Sequence, residues 1–142
     1  MSRAFMKERD DRPADEIVPP ESSHPNYVTR RGLLALQERL TAASEPRDMS
    51  YLQARIESAI LVDHASPPPE TVQFGATVHV EGAELNREFT IVGEDEADVG
   101  RGLISYISPL AQALMDGKKG QSVIWKRPAG DLPLVIRSIR YR

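Results

Sequence analysis

The chain has 142 residues, no cysteine, 40% hydrophobic and 27% charged residues, and a formal net charge of −3. Lacking cysteine, it has no disulfide, thiolate metal site or cysteine nucleophile, and no stretch approaches the ~20 apolar residues of a membrane span. A general nucleic-acid binder carries a net basic surface, which this composition does not supply. Residues 1–12 alternate in charge and hold no apolar core, so a secretory signal is not expected and the protein reads as cytoplasmic.

The charge is segregated along the chain. Residues 70–100 hold one Lys/Arg against eight Asp/Glu, whereas residues 101–142 hold eight against two. Adjacent segments of opposite sign suit antiparallel strands that neutralise one another, or two faces for different partners.

Residues 1–28 are polar, with Pro13, Pro19, Pro20 and Pro25, and are expected to form a disordered or loosely docked tail, having too little apolar surface to offset chain entropy. Thr29 is a good N-cap, and Leu33, Leu36, Leu40 and Ala43 follow as one helical stripe. Pro46 interrupts it and biases Glu45 away from helical geometry. Leu52, Ile56 and Ala59 form a second stripe, with Ser50 or Asp48 as its expected cap. Two helices joined by so short a loop predict an antiparallel hairpin over residues 29–66. Helices of ~15 residues make an arm of only ~22 Å, which is marginal unless its base leans on the next domain.

Pro67-Pro68-Pro69 predicts a stiff linker, after which the period becomes two. Val78 and Val80, then Phe89 and Ile91, alternate around a turn at residues 82–86. Residues 103–107 form a third strand candidate. Ser108-Pro109 is a helix-start signal, and Gly117 and Gly120 stop that helix within about two turns. Val123 and Trp125 alternate in a further strand. The last strand places Leu134 and Ile136 in one phase and Ile139 and Tyr141 in the other, which predicts a β-bulge near Arg137-Ser138. The predicted class is α+β: a short N-terminal helical hairpin and a domain over residues 70–142 with an antiparallel-rich sheet and one short helix.

Several segments in this order resemble the Gre family of bacterial transcription elongation factors, GreA and GreB. They are Phe74–Val78, the acidic run Ile91–Asp98, Leu103-Ile104-Ser105, Ser108–Ala111 with Ala113-Leu114, the turn Pro128-Ala129-Gly130, and the opening helix within residues 26–40. The resemblance implies a coiled-coil arm and a C-terminal domain similar to the FK506-binding-protein fold. It also implies a partner, bacterial RNA polymerase, gripped at the rim of its secondary channel, with nucleic acid met only indirectly inside the transcription complex. Ile107, Ser108, Pro109 and Leu110, together with Glu94 and Asp95, are then the expected polymerase contacts. Position 107 departs from the family, which commonly has Asp or Asn there.

In cleavage-competent relatives a long coiled coil carries two carboxylates to the polymerase centre, where they help to hold a magnesium ion that activates water. This chain lacks the tip segment resembling "GDLxENAEY". Glu45 and Asp48, three apart in the loop, are the candidate tip carboxylates, read as solvated turn residues. No transcript cleavage, no metal, no cofactor, no membrane partner and no enzymatic activity are expected. The shorter arm and Ile107 also resemble Rnk, the regulator of nucleoside diphosphate kinase, which suggests a metabolic enzyme as an alternative partner. A third reading is a peptidyl-prolyl-isomerase-like domain, which demands an aromatic-lined pocket. The acidic run Glu94–Asp98 reads otherwise as a solvated loop, Trp125 as core, Lys118, Lys119, Lys126 and Arg127 as a solvated face, and the three histidines as ordinary.

Overall fold

The computed structural model of the protein describes residues 23–64 and 66–141. The class is α+β. Strand β1 (Tyr27–Val28) leads into α1 (Arg30–Ala42), α2 (Pro46–Ser58) and β2 (Ile60–Leu61), which returns to pair with β1 in parallel. There follow β3 (Thr77–Glu81), β4 (Asn86–Val92), a 3-10 turn at Val99–Arg101, β5 (Leu103–Ser105), α3 (Pro109–Leu114), β6 (Ser122–Trp125) and β7 (Leu132–Arg140). The second sheet has the order β5-β4-β3-β7-β6, and only its β4–β5 pair is parallel.

Thr29 caps α1, its hydroxyl accepting from the Gly32 amide at 2.9 Å, which satisfies one of the donors that a helix start leaves open. Leu36 of α1 and Leu52 of α2 are buried against each other and Val28, with Leu33, Leu40, Ile56 and Ala59 around them. The cap of α2 differs from expectation. Pro46 is its first residue and Glu45 the cap position, without a side-chain bond, while Asp48 sits inside the first turn. Proline's fixed φ and missing N–H suit the first helical position, so the helix starts earlier than a capping side chain alone suggests.

Of the tail expected over residues 1–28, residues 1–22 lie outside the described residues. Its end is built into the body. Asn26 is buried and donates from Nδ2 to the Arg55 carbonyl at 2.8 Å and to Ser58 Oγ at 3.0 Å. Ile60, next in the chain after the Leu52, Ile56 and Ala59 stripe, lies in β2, half-exposed.

The main core lies between α3 and one face of the five-stranded sheet, with Val78, Val80, Phe89, Ile91, Ile104, Leu114, Leu134 and Ile136 at its centre. Residues 89–92 of β4 are all buried rather than alternating, since the opposite face also carries contacts. There Thr90 pairs with Thr77, hydroxyl to hydroxyl at 2.9 Å. The bulge is where the phase jump predicts it. Ser138 pairs with His79 and Ile136 with Val80, so Arg137 is the extra residue. The strand at 103–107 is shorter than expected, ending at Ser105. The segregated charges meet across this sheet, Arg137 with Glu81 at 2.6 Å and Arg140 with both oxygens of Glu88 at 2.7 and 3.0 Å.

Candidate functional site

The parallel pairing of β4 and β5 sends the chain out of both strands at the same end. Glu94 and Asp95 follow β4 there, and Ile107, Ser108 and Pro109 follow β5. The fold thus gathers the two predicted contact segments at one end of the sheet, but it gives them different jobs.

The Ser108 hydroxyl accepts from the Ala111 amide and caps α3, with Pro109 in the first turn. This fixes the loop, leaving Pro109 exposed and Ile107 and Ser108 half-buried. Leu110, an expected contact, is instead 4% exposed in the main core. Helical periodicity turns it inward, opposite to its neighbour Pro109. Beside the loop lies a cavity of about 470 Å³ whose lining includes Phe89, Val99, Ser108, Pro109 and Trp125. Trp125 is only part core: one side meets the core and its ring lines this cavity, with the Arg127 guanidinium 5.4 Å from the ring centroid. Val99, on the same cavity, is 67% exposed. Lys126 and Arg127 add cationic groups to the rim, so part of the expected solvated basic face borders an apolar hollow.

Asp95 faces the other way. It accepts from Arg55 Nε at 2.6 Å and from the Tyr51 hydroxyl. Arg55 also donates to Asn26 Oδ1 at 2.8 Å and lies 3.5 Å from Glu94. Glu96 accepts from the Thr29 hydroxyl at 2.6 Å. The acidic run is therefore not a solvated loop: its middle holds the base of the helical pair. Burial, then the hydrogen bond to Asp95, push the Tyr51 phenol up to about 12. An aromatic cluster flanks this latch. Tyr27, Phe74 and Tyr106 stack with centroids 5.2 to 5.9 Å apart, and the Tyr106 hydroxyl donates to the Pro25 carbonyl.

The roles of Tyr51, Arg55 and Asn26 escaped the sequence reading. A trace was present: Tyr51 and Arg55 are four apart on a helix, beside the Leu52 stripe, and so share a face. What partner that face meets is not a local property.

Glu45 and Asp48 lie at the far end of the helical pair, both exposed. Among the described residues no three His, Asp or Glu side chains come together as a metal site would require. His64 meets the Phe74 carbonyl at 2.6 Å and His79 the Asn86 amide oxygen at 2.5 Å. Among the described residues, no helix is long and apolar enough to cross a membrane.

The family model described as transcription elongation factor GreA/GreB, C-terminal part, matches residues 67–141. A GreA of Nitratidesulfovibrio vulgaris is 34% identical over 95 residues, covering 66% of this chain and 58% of that protein. A GreB of Xanthomonas axonopodis pv. citri is 42% identical over 98 residues, covering 67% and 58%. The matched part thus spans 58% of the length of these curated relatives. Among solved structures, a GreA/GreB factor of Nitrosomonas europaea is 24% identical, covering 84% of this chain and 100% of that one, with a TM-score of 0.46. These relatives carry GreA and GreB names rather than Rnk, and the Rnk-like reading is set aside.

Proposed function

The chain belongs to the GreA/GreB family of transcription elongation factors, and we propose from that premise that it binds bacterial RNA polymerase and regulates elongation. The observation that carries this reading is the family match over residues 67–141, which includes the capped Ser108-Pro109 loop. Docking at the secondary-channel rim uses Ile107, Ser108 and Pro109, with the apolar hollow beside them. Leu110 and Asp95 act from behind, one holding α3 to the core and the other holding α2 to the sheet. Partnership with the polymerase implies a cytoplasmic protein. The C-terminal domain is read as similar to the FK506-binding-protein fold, and the helical pair as a shortened coiled coil.

The protein docks without stimulating transcript cleavage. With 13 residues in each helix, the arm reaches about 20 Å at 1.5 Å per residue. A carboxylate acts on a catalytic magnesium only by direct coordination at ~2 Å, and Glu45 and Asp48 sit on a tip too short to bring them to the polymerase centre.

The test is a stalled elongation complex assayed for RNA cleavage with the protein alone and in competition with a long-armed factor. No cleavage alone and inhibition in competition are expected. Pro109→Gly should weaken inhibition, and Ile107→Asp, which restores the family's polar anchor, should strengthen it. Cleavage by the protein alone would refute the short-arm argument; equal competition by both variants would move docking elsewhere.

A second reading, proline isomerisation, is favoured by the position of Phe89 and Trp125 on one apolar cavity. Fold and pocket do not by themselves make a catalyst. A rate on a chromogenic prolyl peptide clearly above the uncatalysed one would establish it.

A further inference from the structure

A cavity of about 480 Å³ lies between α1 and the acidic loop, remote in its lining from the Ser108-Pro109 edge. Three arginines border it: Arg31 and Arg39, two helical turns apart on one ridge of α1, and Arg101 from the 3-10 turn. Ala35 lies between the first two and is too small to fill the space. Among the described residues, none of these three guanidinium groups makes a hydrogen bond or an ion pair.

The carboxylates on the same wall are mostly engaged. Asp95 is held by Arg55 and Tyr51, and Glu96 accepts from Thr29 at the start of α1. Only the Asp98 side chain lacks a partner among the described residues. The lining thus holds three guanidinium groups and three carboxylates, with the guanidinium donors unspent while Asp95 and Glu96 already accept hydrogen bonds from within the fold.

Leu36 and Leu103 supply an apolar wall. Arg31, Glu96 and Leu103 are shared with a neighbouring cavity of about 510 Å³, also lined by Thr90. The Thr90 hydroxyl at that cavity's wall pairs with that of Thr77 at 2.9 Å. Guanidinium forks match phosphate oxygens, and cavities of this size take small molecules.

We propose that this cleft binds a phosphorylated small molecule of nucleotide size. Its phosphates lie among Arg31, Arg39 and Arg101, and its body lies over Leu103 toward Thr90. A concave, part-apolar cleft favours such a ligand over the extended backbone of a nucleic acid. The site is separate from polymerase docking and stands whether or not docking occurs.

Calorimetric titration of the full chain with adenosine diphosphate, inorganic pyrophosphate, adenosine and a short single-stranded RNA tests the assignment. The diphosphate should bind, pyrophosphate more weakly, and adenosine not at all. Arg39→Gln and Arg101→Gln should each raise the Kd about tenfold, one charge-assisted contact apiece, while Asp98→Asn should lower it. Both arginines are exposed, so thermal melts should stay unchanged, and Arg137→Gln serves as a distant control. No diphosphate binding at millimolar concentration, or wild-type affinity in both arginine variants, overturns the proposal. So does RNA binding that the two variants abolish and the diphosphate cannot compete.

Discussion

Arg55 and Asp95 meet between α2 and the loop after β4, Nε to Oδ2 at 2.6 Å, with 15% and 9% of their side chains exposed. Forty residues separate them in the chain, and Arg55 also donates from Nη2 to Asn26 and Glu94. A shielded pair of this kind gains little over an apolar replacement of equal shape, yet removal of one partner strands the other charge.

Asp95→Ala should therefore destabilise the protein by about 3 kcal/mol, measured by urea denaturation. The double change Asp95→Leu with Arg55→Met should recover much of that loss. A single-variant loss as small as that of an exposed pair would show that water reaches the latch.

Tyr51 gives the same junction a pH dependence. Its phenol is raised from 10.0 to about 12 in the fold, by burial first and by Asp95 second. The folded state thus holds the proton more tightly than the unfolded state. This contribution is constant below the unfolded pKa and is lost as pH rises through the window from 10.0 to about 12. Denaturation of wild type and Tyr51→Phe across that range should show a steeper fall for wild type. Parallel profiles would exclude Tyr51 as the titrating group.

Gly93 lies where β1 crosses the end of β4. A Cβ there would sit 2.2 Å from the Tyr27 carbonyl oxygen, and a backbone atom cannot yield as a side chain can. Gly93→Ala should destabilise by about 2 kcal/mol through overpacking and loosen the Tyr27–Tyr106 contact. Near-ultraviolet circular dichroism reads that contact directly, and an unchanged spectrum with unchanged stability would contradict the close approach.

Arg137 separates two effects at one position. Its side chain makes an exposed pair with Glu81, so Arg137→Ala should change stability by less than about 1 kcal/mol. Deletion of Arg137 removes the bulge but leaves Leu134, Ile136, Ile139 and Tyr141 in one uninterrupted alternation, on the face they already occupy. Tyr141 then keeps its bonds to the Gln73 amide at 2.9 Å and the Thr71 carbonyl at 2.5 Å. Thermal melting should show a small change for both variants; a large drop for the deletion alone would mean that the local twist of the bulge is what seats Tyr141.

The local elements are legible in the order of the residues. Thr29 and Ser108 set helix starts because a capping hydroxyl satisfies a donor only residues away, and the phase break before Ile139 located the bulge because strand side chains alternate strictly. The α+β class and the family's signature segments follow from the same near-neighbour chemistry. Tertiary structure alone decided which side chains are spent. Leu110 is turned into the core by the docking of α3, and Asp95 is claimed by a helix forty residues earlier. Arg31, Arg39 and Arg101 gather round one cleft. Such outcomes depend on desolvation and on distances between segments remote in the chain, and no local pattern encodes whether a charged group will find its partner inside the molecule or outside it.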